Sequence, residues 1–250
     1  MEKRPFSVEA GGKGDRLLDS EEMSQYRGYI GTINWVVQCT RPDMAYELIE
    51  LSVKSKVASV DDMKRARKLV SRIQDLESLV FFPALGEIGS WTLCVYTDAS
   101  HANLPDGVSS TMGCLVFVVG RGGATCAVSW RANKIKRVVR STLAAETMAL
   151  QEGLEEALYI RSLLLELGSG EIRIVAYVDN KSLIEALYST KQVNDRRLRI
   201  DIGSLKELLN GEVESINWIP GSRQLANCLT KRGASGSDLL NVLQSGRMPS

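Results

Sequence analysis

Histidine is almost missing from this chain: His101 is the only one in 250 residues. That excludes His-rich zinc sites and argues against a His-based catalytic triad. The five cysteines, Cys39, Cys94, Cys114, Cys126 and Cys228, contain no CxxC pair. They are expected as buried core thiols in a reducing compartment. No apolar run approaches the ~18 residues that a membrane span needs, and the run at 114–120 falls far short. Residues 1–14 are charged and Gly-containing and offer no apolar h-region, so no secretory signal is read. Neither sign of charge dominates, with 31 basic against 30 acidic side chains. Any attraction to nucleic acid must therefore rest on local patches. Hydrophobic residues at 44% and charged residues at 24% describe an ordinary globular chain, long enough for one large or two modest domains. With histidine set aside, carboxylates must carry any chemistry, alone or with hard metal ions.

Apolar spacing organises the chain. Residues 1–19 read as a flexible lead-in, polar and holding Gly11, Gly12 and Gly14. From Ser20, a helix is predicted by Tyr26, Tyr29, Ile30, Ile33, Val36 and Val37 at spacings of three and four. Pro42 breaks it. A second helix presents Met44, Leu48, Ile49, Leu51 and Val53. A third follows Val60, with Asp61 as its cap and Met63, Ala66, Leu69, Val70 and Ile73 inward. Beyond Ser90 the period changes. Strands are predicted at 91–97 (WTLCVYT), 111–119, 124–130, 172–178 and 213–219, with the Gly-rich 120–123 as a hairpin turn. Helices are predicted at about 141–167, 181–188, 195–209 and from about Ser222. The order β-β-β-α-β-α-α-β-α implies a mixed α/β sheet with helices on its faces.

Three acids stand out in this frame. Asp98 (YTDAS) and Asp179 (YVDN) end the first and fourth strands, at the carboxyl edge where open sheets place their sites. Glu146 (STLAAETMAL) lies on the apolar stripe of the long helix, between Leu143, Leu150 and Leu154, with the small Ala149 and Gly153 one and two turns on. A buried charge is costly unless it is paired or metal-bound. Three acids without histidine suit Mg²⁺. Each also has a plain structural reading: Asp98 as a turn residue, Asp179 as a helix cap, Glu146 paired with Arg140.

A longer run of motifs fixes the reading. YTDAS, SSTMG (109–113), VSW (128–130), RSTLAAETMAL (140–150), VDNKS (178–182), RRLRIDI (196–202) and LANCLTK (225–231) follow in one order. Residues 91–233 in this respect resemble the ribonuclease H domain of copia-type retrotransposon Pol polyproteins. Residues 26–48 (YRGYIGTINWVVQCTRPDMAYEL) resemble the connecting segment after the reverse transcriptase of the same polyproteins. The resemblance implies four parts: the lead-in at 1–19, a helical connection region at 20–85, a ribonuclease H-like five-stranded domain at 90–233 and a C-terminal tail at 234–250. It implies a divalent-metal-dependent endonuclease cutting the RNA strand of RNA–DNA hybrids. Asp98, Glu146 and Asp179 would bind Mg²⁺ or Mn²⁺, as two ions about 4 Å apart that activate a water and steady the leaving oxygen.

One position departs from the family pattern. Active relatives carry an Asp where this chain has Asn227, which keeps a carbonyl ligand and loses a charge. The alternative is therefore an inactive nucleic-acid-binding relic or a domesticated domain. An extra Glu common in the family is Ala144 here, a neutral change. No YxDD-type motif is present, and the acid order D, E, D is not the D, D, E of an integrase, so the chain reads as part of a larger polyprotein. The expected partners are the hybrid and the reverse transcriptase part, with no membrane, at an intracellular location in a cytoplasmic particle or the nucleus. Arg131, Lys134, Lys136, Arg137 and Arg140 lie in a basic connector suited to phosphate contact. Arg196, Arg197 and Arg199 form a second basic cluster. Trp130 and Trp218 are expected in the core, and His101 in solvent.

Overall fold

The computed structural model describes residues 16–75, 80–190 and 193–249. Residues 1–15 of the predicted lead-in lie outside them. Residues 16–19 are tied down: Leu17 bridges Ser59, and the Leu18 N–H donates to the Ala58 carbonyl at 2.9 Å. Helix α1 (Ser20–Cys39) begins where Asp19 accepts the N–H groups of Glu21 and Glu22 while the Glu22 carboxylate accepts the Asp19 N–H, a capping box. Its stripe of Met23, Tyr26, Ile30, Ile33 and Val37 is buried. A 3-10 turn at Pro42–Met44 leads into α2 (Ala45–Ser52), and α3 spans Val60–Asp75. Asp61 is not the cap of α3; it lies in the first turn. Ser59 caps instead, its hydroxyl accepting the Asp62 N–H at 3.3 Å while Asp62 accepts the Ser59 N–H at 3.0 Å. Val53 falls just past α2 and is exposed, because the helix ends before its side chain can turn inward.

The sheet then forms from β1 (Thr92–Ser100), β2 (Thr111–Val119) and β3 (Thr125–Lys134). Helix α4 (Thr142–Glu166) is followed by β4 (Arg173–Val178), α5 (Lys181–Tyr188), α6 (Arg196–Gly211) and β5 (Ser215–Trp218). Two short helices close the chain, α7 (Asn227–Thr230) and α8 (Ser237–Ser245). Strand order is β3-β2-β1-β4-β5, antiparallel across β1, β2 and β3 and parallel from β1 to β4 and β5. This is the five-stranded mixed sheet with flanking helices that the element order implied.

Both faces of the sheet are covered, which is why its central strands read as near-continuous apolar runs. On one face Leu93, Val95, Val116 and Val118 pack with Leu150, Leu154, Leu183 and Leu205 of α4, α5 and α6. On the other, Cys94, Leu115, Phe117 and Ala127 share a cluster with α1, α2 and α3 and with Leu239, Val242 and Leu243 of α8. The helical segment thus seals the sheet's underside. The expected tail at 234–250 holds α8, whose apolar residues at spacings of three and four complete that cluster, and Phe81 N–H donates to the Leu243 carbonyl at 2.8 Å. Four cysteines are buried as expected; Cys39, on the outer side of the last turn of α1, is exposed. Among the described residues no helix is long and apolar enough to cross a membrane.

Gly153 sets how near α4 lies to β1. A Cβ there would meet Thr97 Cγ2 at 2.5 Å and Val95 Cγ1 at 3.1 Å. Seven residues earlier, about two helical turns, the same face presents Glu146 to the sheet. On an ordinary helix Gly→Ala stabilises by about 1 kcal/mol. Here Gly153→Ala should destabilise by about 1–3 kcal/mol through overpacking, read as a lower denaturation midpoint; a raised midpoint would show that the contact is not tight.

Candidate active site

Three elements deliver the three acids. Asp98 sits inside β1, which runs three residues further than predicted because it stays paired with β2 as far as Ser100 and Thr111. Asp179 follows the last residue of β4. Glu146 comes down from α4, after Ser141 has capped that helix by accepting the Ala144 N–H at 3.1 Å. One carboxylate oxygen from each lies within 4.8 Å of the others. Asp98 is fully buried, Glu146 is 3% exposed and Asp179 is partly buried. The plain structural readings fail for all three, and Asp98 lies in a paired strand rather than a turn. Asn180, not Asp179, caps α5 by accepting the Leu183 N–H at 3.0 Å. Glu146 is not paired with Arg140: its Oε2 is buried with no hydrogen-bond partner.

The strands splay where these acids emerge. The β1–β4 ladder ends at Tyr96 opposite Tyr177. The buried Gln224 side chain fills the split, donating to the carbonyls of Thr97 at 3.0 Å and Tyr177 at 3.3 Å. Helix α7 lies over the same edge because Gly113, the β2 partner of Asp98, leaves room: a Cβ there would stand 2.7 Å from Leu229 Cβ. From α7 the Thr230 hydroxyl donates to Asp98 Oδ2 in a short bond. Lys231 Nζ stands 2.9 Å from Asp98 Oδ1, 3.6 Å from Asp179 Oδ2 and 2.5 Å from Asn227 Oδ1. Asn227 therefore reaches the acids through Lys231, while its Nδ2 donates to the Gly221 carbonyl at 2.6 Å.

Crowding shows in the electrostatics. Burial, then the charges of Asp98 and Asp179, push the Glu146 carboxyl up to about 9. Burial also raises Asp98, outweighing the ammonium of Lys231 and the Thr230 hydroxyl. Lys231 is lowered by burial but raised further by Asp98, Asp179 and Glu146, and ends above the ordinary lysine range. Like charges this close disfavour full ionisation. The donor set is all hard oxygen, and one buried carboxylate oxygen lacks any partner. Both features suit Mg²⁺ or Mn²⁺.

The basic residues are less concentrated on this site. Arg131 and Lys134 belong to β3, not to a loop, because β3 stays paired with β2 as far as Lys134 and Thr111. Arg131 pairs with Glu156 at 2.5 Å, Lys134 with Asp106 at 3.3 Å and Arg137 with Asp201 at 2.5 Å. Lys136 and Arg140 are exposed with no ion pair among the described residues. Of the second cluster, Arg197 lines, together with Arg140 of the first, a small cleft of about 60 Å³ between the 137–141 loop and α6, and Arg199 donates back to the Val193 carbonyl. Trp130 packs against the core and donates to the Val37 carbonyl at 2.9 Å. Trp218 does not: it is 42% exposed, its Nε1 donates to the Asp179 carbonyl at 3.0 Å, and Lys181 stands over its ring at 4.6 Å. β5 is an edge strand, which leaves that ring without a covering layer. His101 is half-buried against the Val139 carbonyl at 3.1 Å. Gln224, Thr230 and Lys231 were not singled out in the sequence; the one usable signal was Lys231, four residues after Asn227 and so on the same helical face.

No protein-family model matches the chain. It is 28% identical over 223 residues to the retrovirus-related Pol polyprotein from transposon RE1 of Arabidopsis thaliana, covering 87% of this chain and 14% of that protein. It is 30% identical over 155 residues to the polyprotein from transposon RE2 of the same plant, covering 62% and 10%. The N-terminal RNase H domain of rv2228c from mycobacterium tuberculosis is similar with a TM-score of 0.41 and 17% identity, over 62% of this chain and 98% of that one. The likeness to transposon Pol polyproteins that the motifs indicated is thus present along most of the chain, which spans a small part of each polyprotein.

In chelator the cluster should make stability fall with pH. Glu146 has an ordinary value of 4.5 and a folded one of about 9. Between the two the folded state holds a proton that the unfolded state has released, so stability present at low pH is lost as pH rises through that window. Melting temperature should decline across it, and Glu146→Gln should flatten the decline. An unchanged slope in Glu146→Gln would place the titration elsewhere.

Proposed function

We propose that the chain is a divalent-metal-dependent ribonuclease H that hydrolyses the RNA strand of RNA–DNA hybrids, as part of a copia-type retroelement Pol polyprotein. The observation that carries this is the convergence of Asp98, Glu146 and Asp179 at the carboxyl edge of a ribonuclease H-like sheet. These carboxylates would hold Mg²⁺ or Mn²⁺. Such an ion supplies Lewis-acid polarisation of a phosphate oxygen and a water acidic enough to attack at neutral pH. The chain's own part is placement. Gln224 holds the splayed strand ends, Thr230 fixes one oxygen of Asp98, and Gly153 lets α4 bring Glu146 down with an oxygen left free. Lys136 and Arg140, without an ion pair among the described residues, and Arg131, Lys134 and Arg137, after exchanging theirs, would meet the hybrid's phosphates. The reverse transcriptase part of the parent polyprotein is the proposed protein partner.

A second reading, a hybrid-binding domain that no longer cleaves, is favoured by one observation: at position 227 an amide faces the cluster through a lysine ammonium. A labelled hybrid incubated with the protein in Mg²⁺ and in Mn²⁺ separates the two. Cleavage of the RNA strand is expected, abolished by Asp98→Asn. Asn227→Asp should raise the rate roughly tenfold, about 1.4 kcal/mol in the barrier, since hard cations prefer a carboxylate. Binding without cleavage in either metal would establish the second reading. Equal activity in Asp98→Asn would trace the cleavage to a contaminant.

A further inference from the structure

The carboxylate cluster already contains a cation. Lys231 leaves the carboxyl end of α7, and its Nζ reaches Asp98, Asp179 and the Asn227 carbonyl oxygen together. The Asn227 amide is oriented for this, because its NH₂ is spent on the Gly221 carbonyl and only its oxygen can turn to Lys231. The lysine side chain is 39% exposed, so its head is inserted among the acids while part of its stem meets solvent. When ionised, Asp98, Glu146 and Asp179 carry three negative charges, and Asn227 adds none. Lys231 cancels one, and the two that remain match a single divalent ion. Glu146 Oε2, buried and unpartnered, is the oxygen the ammonium leaves unserved.

We infer that the Lys231 ammonium occupies one of the two cation positions of this site, so that the chain takes one divalent ion readily and a second only by displacing Lys231. This rests on the metal site proposed above. Lysine suits the role: it is a compact point charge on a flexible stem, able to withdraw in a way a buried guanidinium fork is not. Asn227 is the matching half of the device, since an Asp there would hold the ammonium and a second metal ion in direct competition for one carboxylate.

Equilibrium counting of bound Mn²⁺, by calorimetry and by the spin-resonance signal of the free ion, tests this on the whole chain and on Lys231→Met and Lys231→Gln. The wild-type chain should bind one Mn²⁺ in the range where both variants bind two, or the variants should bind with affinity higher on the order of tenfold. Without metal the variants should melt lower, since buried Asp98 loses its counter-ion, and Mn²⁺ should restore them by a larger increment than it gives the wild type. A measurement on the unaltered protein guards against variants that fail to fold. Lys231 should be shielded from an amine-acylating reagent in chelator and become labelled, by mass spectrometry, as Mn²⁺ rises into the range of the second ion. Unchanged labelling of Lys231, or equal Mn²⁺ number and affinity in all three chains, overturns the inference while leaving a metal-dependent nuclease intact. Mn²⁺ binding to none of them overturns both. Tighter binding in the variants with no hybrid cleavage by any chain upholds the inference and sinks only the nuclease reading.

Discussion

Three carboxylates held within 4.8 Å of one another repel, and much of this architecture exists to hold them there. No local propensity places them together. Asp98 is fixed by a β1 that stays paired past the point where its apolar run ends. Asp179 is fixed by a parallel strand whose last pair with β1 lies two residues earlier, at Tyr177. Glu146 is fixed by a helix that presses against both. The restraint comes from two packed cores, one on each face of the sheet, so the electrostatic cost at the edge is offset by apolar burial well away from it.

The close contacts at that edge share a logic. Where strands part, carbonyls lose their partners, and a buried side-chain amide replaces them: Gln224 donates to both strands. Where a helix must come near a strand, a side chain is deleted: Gly153 under α4 and Gly113 under α7. Where a carboxylate is buried, a hydroxyl and an ammonium are set against it: Thr230 and Lys231 on Asp98. Gln224, Thr230 and Lys231 come from one short segment that carries little periodic apolar signal.

That distribution accounts for what the sequence shows and hides. The five strands and the long helix are legible because burial on both faces writes apolar runs and burial on one side writes a 3.6-residue stripe. Asp98, Glu146 and Asp179 are legible as polar interruptions of those patterns. Asp61 misled because an acid in the first turn looks like a cap, and only geometry shows Ser59 in that role. The run from Arg131 to Arg140 suggests a free basic loop because charge alone does not reveal β3 continuing to Lys134 or the acids that neutralise three of its members. Trp218 reads as core by composition, yet lies at a sheet edge with no layer above it. Lys231 is hinted at only by its spacing of four from Asn227, because a helix of one turn gives no longer pattern from which to read a direction.

The covering of the sheet's underside has a bearing on cooperativity. Tyr26, Ile33 and Leu69 of the first three helices share a cluster with Leu115 and Phe117 of β2 and Leu243 of α8. A chain divided between residues 85 and 90 would leave the sheet-bearing part with Phe117 and Leu115 facing water and the helical part without a floor. Helices α1 to α3 and α8 meet on that face, so the packing crosses the boundary that motifs draw near Ser90, and the two sides of that boundary share one core.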